Sequence, residues 1–210
     1  MGTLLQRLDF GASHVYSPRG RQSGSRESQQ RVRELKRGDA RTVAYLAGEI
    51  RLMFTRGEFT DFFGRETTLV PIPGSAPPVA GGLWVPMIIA QKLRKDGLAR
   101  EVAPIIVRTR AVAKSAFVPA AMRPDVKTHR ESFRAEIVKP SPMKIVLLDD
   151  VVTQGCTMLA AAQLVAQAYP DAQVRGFAVF RTMSGVEIDR TRDPCEGAIE
   201  TRGERAVRRP

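Results

Sequence analysis

Apolar residues recur along the chain in patterns that are typical of helices alternating with strands. From Asp39, which is suited to a helix N-cap, to about Thr55 they recur every three or four positions, as an amphipathic helix requires. Other helices are predicted at 85–96 and 158–168. Short apolar runs predict strands at 67–72, 105–107, 145–148 and 173–180. This alternation predicts an α/β fold with a doubly wound, mostly parallel sheet.

The two ends of the chain lack these patterns. Residues 17–30 are rich in Ser, Gly, Arg and Gln and have no apolar side chain to bury, which predicts a mobile segment. Residues beyond 184 are charged and poor in apolar side chains. We therefore expect three parts: a flexible basic arm over 1–38, an α/β domain over 39–184, and a charged C-terminal tail over 185–210.

The most informative segment follows the third predicted strand. The strand runs directly into two acids, Asp149 and Asp150, and then into a short loop and a helix. A loop at a helix N-terminus brings unpaired backbone N–H groups together, which favours an anion. The hydroxyls of Thr153 and Thr157 add donors, and Gly155 lets the backbone approach closely. Because paired carboxylates suit ribose hydroxyls, the segment predicts a site for a sugar phosphate.

These residues resemble the ribose 5-phosphate loop of type I phosphoribosyltransferases, which bind phosphoribosyl pyrophosphate (PRPP). The family pattern is two acids, two apolar residues and Thr-Thr-Gly-x-Thr, and this chain has Gln154 where a small residue is usual. An unrelated strand-loop-helix whose acids only cap the sheet is the alternative. The resemblance implies that five loop residues bind the 5-phosphate through amides and hydroxyls: Thr153, Gln154, Gly155, Cys156 and Thr157.

The same resemblance implies a catalytic role for the acid pair. Asp149 and Asp150 would hold the ribose 2′- and 3′-hydroxyls and offset the positive charge that develops on the ribose as pyrophosphate leaves. A Mg²⁺ cofactor is also implied, bound to the same two carboxylates mainly through water. Cys156 is expected to contribute its N–H group rather than a reactive thiol.

Two further loops are expected beside this one, because ligands of parallel sheets gather at the carboxyl ends of the strands. The first is entered through Leu-Val-Pro-Ile-Pro at 69–73, which resembles the ComF-type (competence-associated) branch of the family. Gly74 and Ser75 are therefore candidates for binding pyrophosphate. The basic residues that usually follow in that branch are missing here, and a plain connecting loop is the alternative.

The second loop covers residues 108–134 and resembles the flexible loop that closes over PRPP in the family. Lys114 and Arg123 are its candidates for binding pyrophosphate, since closure of a basic loop excludes water and adds positive charge. Arg108, at its start, is equally consistent with a surface residue. His129 is expected at the surface rather than in the role of a general acid.

Upstream segments also resemble the ComF-type branch, notably Leu-Lys-Arg-Gly-Asp at 35–39. The cysteine-rich zinc-binding extension of that branch has no counterpart, because no cysteine precedes Cys156. In the family, a variable hood built from the N- and C-terminal segments recognises the base. Here the hood candidates, about 14–40 and 184–200, contain few aromatic residues, so the acceptor base is left open.

The charge of the chain predicts an anionic partner, and a basic surface that is only solvated is the alternative. It has 33 basic and 22 acidic residues, a net charge of +11. A diphosphate substrate accounts for this charge, and nucleic acid does so equally well. Two hypotheses follow: a phosphoribosyltransferase that transfers ribose 5-phosphate to a nitrogenous base or similar acceptor, and a non-catalytic protein of this fold that binds nucleotide or nucleic acid in a regulatory or DNA-handling role.

The remaining expectations concern location and assembly. No stretch approaches the roughly 20 apolar residues of a membrane span. Cys156 and Cys195 form neither a metal-binding spacing nor a disulfide framework. We therefore expect a cytoplasmic protein without membrane contact. The resemblance leaves a homodimer as one option for its assembly.

Overall fold

The computed structural model describes residues 4–113 and 123–210. Nine strands and five helices lie within these ranges. The strands are β1 (Arg7–Tyr16), β2 (Gly64–Pro71), β3 (Ala99–Val102), β4 (Ile106–Arg108), β5 (Phe133–Ala135), β6 (Lys144–Val152), β7 (Gln173–Thr182), β8 (Arg192–Arg202) and β9 (Arg205–Arg209). The helices are α1 (Ser23–Lys36), α2 (Ala40–Thr55), α3 (Val85–Lys95), α4 (Val126–Glu131) and α5 (Cys156–Ala168).

Seven of the strands form one sheet in the order β3-β2-β6-β7-β1-β8-β9. The first five of these run parallel, and β8 and β9 add two antiparallel strands at one edge. The strands β4 and β5 form a separate antiparallel pair. The predicted fold class, an α/β fold with a mostly parallel sheet, is confirmed. The strand β6, which carries the acid pair, lies in the middle of the five parallel strands.

Helices cover both faces of the sheet, and β6 shows why. Its residues Val146 and Leu148 pack towards α1, α2 and α3. The alternate residues Ile145 and Leu147 pack towards α5 and the smaller α4–β5 unit. All four side chains are completely buried. A continuous apolar run of this kind is what a parallel strand buried on both faces requires.

The predicted boundaries of the two central helices agree closely with the structure. Asp39 caps α2, because its Oδ1 accepts a hydrogen bond from the N–H of Thr42 at 2.8 Å. The helix α3 ends just before Gly97, which has a φ of +86°. Within the described parts of the chain, no helix is long and apolar enough to cross a membrane.

The prediction of a flexible arm over 1–38 was wrong over the part of it that the structure describes. The strand β1 lies between β7 and β8, and its Phe10 and Ala12 are completely buried. The helix α1 packs on the sheet through Val32 and Leu35. The prediction failed because it counted only apolar side chains as buried. Much of the buried face of α1 consists of small residues, including Ser25 and Ser28, which pack closely without being apolar.

The prediction of a charged tail over 185–210 was also wrong. Residues 192–202 and 205–209 form a hairpin that completes the sheet. Only a few apolar side chains, among them Ile199 and Ala206, enter the core from it, so its pattern was too sparse to indicate strands. The sheet therefore extends beyond 39–184 at both ends.

Candidate functional site

The loop between β6 and α5 has the geometry of an anion site. Gly155 stands at the N-cap of α5 with a φ of +94°, a left-handed conformation that favours glycine. A Cβ at this position would come within 2.7 Å of the Ile199 side chain in β8. No side chain among the described residues caps α5. Its first N–H groups are thus left for a ligand or for water.

The acid pair lies at the carboxyl end of β6, beside this loop. The Oδ1 atom of Asp149 accepts from the N–H of Asp150 at 2.8 Å, and the Oδ1 atom of Asp150 accepts from the N–H of Val151 at 2.9 Å. Burial, and then the charge of Asp150, raises the pKa of Asp149 well above its ordinary value. The pair therefore resists double ionisation when no ligand or cation is close.

Lys36, in the last turn of α1, supplies such a cation. Its Nζ lies 3.1 Å from Asp150 Oδ2. Burial acts to lower the pKa of Lys36, but the charges of Asp150 and Asp149 outweigh it and raise that pKa. Lys36 was not among the predicted site residues. The signal was its place in Leu-Lys-Arg-Gly-Asp at 35–39, one of the segments that resemble the ComF-type branch.

Arg108 provides a second positive charge that acts on Asp149, and it is not a surface residue. Only 2 % of it is exposed, its Nη1 donates to Ser132 Oγ at 2.5 Å, and its guanidinium lies 4.1 Å from the centre of the Phe133 ring. Burial lowers the pKa of Arg108 to about 10, although the charge of Asp149 opposes this shift. Arg108 therefore remains charged at neutral pH and acts electrostatically on Asp149.

The prediction that His129 lies at the surface was wrong. The residue is 4 % exposed, and its Nε2 lies 3.2 Å from Thr157 Oγ1 in the first turn of α5. Burial, and then the charge of Arg108, lowers the pKa of His129 to about 4, so the ring is neutral at pH 7. Its Nδ1 is buried without a hydrogen-bond partner among the described residues. A neutral imidazole thus contacts the predicted phosphate loop.

A small cavity of about 50 Å³ brings several predicted residues together. Asp149, Arg123 and His129 line it, together with all five predicted 5-phosphate residues, 153–157. Asp150 is not part of its lining and pairs instead with Lys36. The cavity therefore joins one carboxylate to the predicted phosphate loop.

Cys156 behaves as a packed, protonated thiol. Its Sγ accepts a hydrogen bond from the N–H of Ala206 in β9 at 3.4 Å. Burial raises the pKa of the Cys156 thiol. A thiolate is the nucleophilic form of cysteine, so this environment does not favour nucleophilic chemistry at Cys156.

Among the predicted pyrophosphate residues that the structure describes, Gly74 and Ser75 lie apart from this cavity and Arg123 lines it. Gly74 is exposed, and the carbonyl of Ser75 accepts from the N–H of Val112 at 2.8 Å. This bond brings the loop after β2 beside the segment that follows β4. Neither Gly74 nor Ser75 lines the cavity at the phosphate loop. Lys114 lies outside the described residues.

The carboxylates fit a magnesium ion only in part. Within residues 4–113 and 123–210, no group of three or more His, Cys, Asp or Glu side chains is arranged to hold a metal ion. Mg²⁺ is commonly bound by one or two carboxylates together with water and substrate phosphates. Asp149 and Asp150 fit that shared arrangement, and the described residues provide no complete protein cage.

Comparison with known proteins gives limited matches. No protein-family model matches the sequence, and no curated protein matches it. The similar solved structures include adenine phosphoribosyltransferase from Leishmania donovani, with 15 % identity and a TM-score of 0.34 over 84 % of this chain and 82 % of that one. The enzyme from Leishmania tarentolae has 16 % identity and a TM-score of 0.34 over 83 % and 88 %.

Proposed function

We propose that the protein is a phosphoribosyltransferase, which binds PRPP at the end of β6 and transfers ribose 5-phosphate to a nitrogenous base or similar acceptor. The observation that carries this proposal is the meeting of the acid pair with Gly155 and the uncapped first turn of α5. Carboxylates are suited to ribose hydroxyls, and helix N-terminal N–H groups are suited to a phosphate. The resemblance of this segment to the type I phosphoribosyltransferase loop supports the same function.

The reaction is a displacement at C1 of the ribose. A bond forms from the acceptor nitrogen to C1 while the bond from C1 to the pyrophosphate oxygen breaks, and the electron pair leaves with pyrophosphate. Asp149 and Asp150 accept hydrogen bonds from the ribose hydroxyls. Because these bonds favour the ionised carboxylates, they place negative charge near the positive charge that develops at C1. When bound, Mg²⁺ would neutralise part of the pyrophosphate charge.

The 5-phosphate is bound by the loop itself and by the N-terminus of α5. Donors are supplied by the N–H groups of Gln154 and Gly155 and by the first turn of α5, which no side chain of the described residues caps. Thr157 adds a hydroxyl that is already in contact with His129. Because His129 is neutral, it donates to Thr157 only as the Nε2–H tautomer, and this leaves the Thr157 hydroxyl proton free for the phosphate.

A second candidate function is nucleic-acid binding without catalysis, and one observation favours it. Arg26 and Arg33 of α1 and its C-cap residue Arg37 are exposed and follow one helical face, over about 17 Å. No ion pair is found for these three among the described residues. A row of unpaired arginines suits the phosphates of a nucleic acid. Such a protein would hold PRPP or nucleotide at the loop as a signal.

A turnover assay separates the two candidates. The protein is incubated with PRPP, Mg²⁺ and each of a panel of purines and pyrimidines, and pyrophosphate release is measured beside the Asp149→Asn variant. Release that depends on one base and is lost in the variant supports the enzyme. PRPP binding without release for any base, together with salt-dependent binding of unrelated DNA, supports the second candidate.

A further inference from the structure

Arg208, in the last strand β9, contacts the phosphate loop through a hydrogen bond to Thr153. Its Nε donates to the carbonyl of Thr153 at 3.1 Å, and its Nη2 donates to the carbonyl of Thr182 at 2.8 Å. Thr182 is the last residue of β7, the strand next to β6. One guanidinium therefore links the loop to the rigid end of a central strand.

The same hairpin supports the loop at two other points. Ile199 of β8 fills the space beside Gly155, and the N–H of Ala206 in β9 donates to Cys156 Sγ. These contacts lie where the loop meets the hairpin of β8 and β9. Arg208 is the only one of the three that binds a loop carbonyl.

A fixed carbonyl also fixes the next N–H group. In a trans peptide, the C=O of one residue and the N–H of the following residue point in opposite directions. The bond from Arg208 to the Thr153 carbonyl therefore directs the N–H of Gln154 away from the hairpin. Gln154 itself lines the cavity, so an N–H group directed away from the hairpin is available to a ligand bound there.

We propose that Arg208 is a positioning residue that holds the Thr153–Gln154 peptide in the orientation that binds the 5-phosphate. The identity of that phosphate as part of PRPP rests on the proposed function, whereas the orientation of the peptide does not. Arg208 acts through the loop, because its Nε and Nη2 donors are used on two carbonyls. The planar fork of arginine allows both bonds at once, and the single ammonium of lysine does not reproduce this geometry.

The neighbouring residue provides a matched control. Arg209 lies on the same strand, is exposed, and donates to Glu200 Oε2 at 2.8 Å, so Arg209→Gln removes the same charge without touching the loop. Arg208→Gln removes the charge and the hydrogen bonds to the carbonyls of Thr153 and Thr182. Arg208→Lys keeps the charge and loses the fork, and it also carries the test if Arg208→Gln fails to fold.

The first measurement needs no ligand. Backbone ¹⁵N relaxation of Gln154 is compared in the wild type and the three variants. We expect an order parameter near the rigid value of about 0.85 in the wild type and Arg209→Gln, and a value below about 0.6 in both Arg208 variants. A Gln154 amide that stays rigid in both Arg208 variants would overturn the proposal.

The second measurement titrates ribose 5-phosphate and, separately, pyrophosphate. We expect ribose 5-phosphate affinity to fall about tenfold or more in both Arg208 variants, while pyrophosphate affinity and the Arg209→Gln variant change less than about twofold. Full affinity in Arg208→Lys would show that charge alone matters and would overturn the positioning role. If the wild type binds neither ligand, the proposed function fails, and the relaxation comparison alone then decides the role of Arg208.

Discussion

The ammonium of Lys36 lies 3.1 Å from Asp150 Oδ2, which joins the last turn of α1 to the acid pair at the end of β6. The Lys36 side chain is 56 % exposed, so the ion pair itself contributes little stability. Its importance lies in the titration of Asp149, because the charge of Lys36 lowers the pKa of Asp149 against the effects of burial and of Asp150. A residue from the segment that was predicted to be a flexible arm therefore contributes to the charge balance of the site.

Replacing Lys36 with methionine should shift the pH dependence of PRPP binding. Removal of the cation raises the pKa of Asp149, so the ionised acid pair forms only at higher pH. We expect the midpoint of the binding curve against pH to move upward in Lys36→Met and to stay in place in Lys36→Arg. Arg37→Met, at the next position, is the matched control, and an equal shift in that variant would remove Lys36 from the site.

Replacing Asp149 with asparagine should stabilise the fold while it abolishes binding. The folded-state pKa of Asp149 is raised above its ordinary value of 3.8. The carboxyl therefore favours folding at pH below that value, and this contribution is lost as the pH rises through the folded-state pKa. We expect Asp149→Asn to unfold at a higher temperature than the wild type at alkaline pH, with the difference vanishing in acid. Asp150→Asn removes only the repulsion from Asp150 and leaves Asp149 buried, so it should show a smaller gain.

Replacing Gly155 with alanine should cost more stability than the same change at Gly97. Both residues have a left-handed φ, +94° and +86°, and each substitution should cost roughly 1–2 kcal/mol for that reason. A Cβ at Gly97 meets open space, whereas one at Gly155 meets Ile199 at 2.7 Å. Overpacking should add about 1–3 kcal/mol at Gly155. Urea unfolding measures the difference, and equal losses would mean that Ile199 does not confine the loop.

Two buried histidines should make the fold sensitive to mild acid. Burial, followed by nearby arginine charge, lowers the pKa of both His14 and His129 from 6.5 to about 4. A depressed histidine pKa gives stability that is fully present above pH 6.5 and is lost as the pH falls towards 4. With two protons taken up on unfolding, the free energy of unfolding should fall by up to about 2.7 kcal/mol per pH unit in this window.

The variant His129→Gln checks that origin. It removes one of the two protons, so the slope should decrease by about 1.4 kcal/mol per pH unit. Chemical unfolding at several pH values between 6.5 and about 4 measures both slopes. Identical slopes in the wild type and the variant would contradict the burial of a neutral His129.

The central part of the fold was predictable because its signals are local. The continuous apolar run of β6, the N-cap at Asp39 and the glycine at 155 each carry a complete physical reason in a few adjacent residues. The sequence also indicated the loop at 153–157 as a candidate phosphate site, because acids, hydroxyls and glycine stand at fixed spacing there. The structure brings these loop residues to one cavity with Asp149.

The rest depends on contacts between distant residues, which no local pattern expresses. The strand β1 includes Gly11, Ser13 and His14, and it is stable because β7 and β8 pair with it on both sides. The sequence around His129 predicted a surface residue, whereas the packing of α4 on α5 buries it. Arg208 contacts Thr153 across 55 positions of sequence. Such long-range pairings determine the structure of the two ends of the chain and the positions of the cations around the acid pair.

The most direct test of the proposed site is a calorimetric titration of PRPP with Mg²⁺ into the wild type and the Asp149→Asn/Asp150→Asn double variant. Thermal unfolding of both proteins is recorded beside it, so that a loss of binding is separated from a loss of fold. The proposal predicts micromolar binding to the wild type and none to a folded double variant. Equal binding to both proteins, or none to the wild type, would contradict a ribose site at this acid pair.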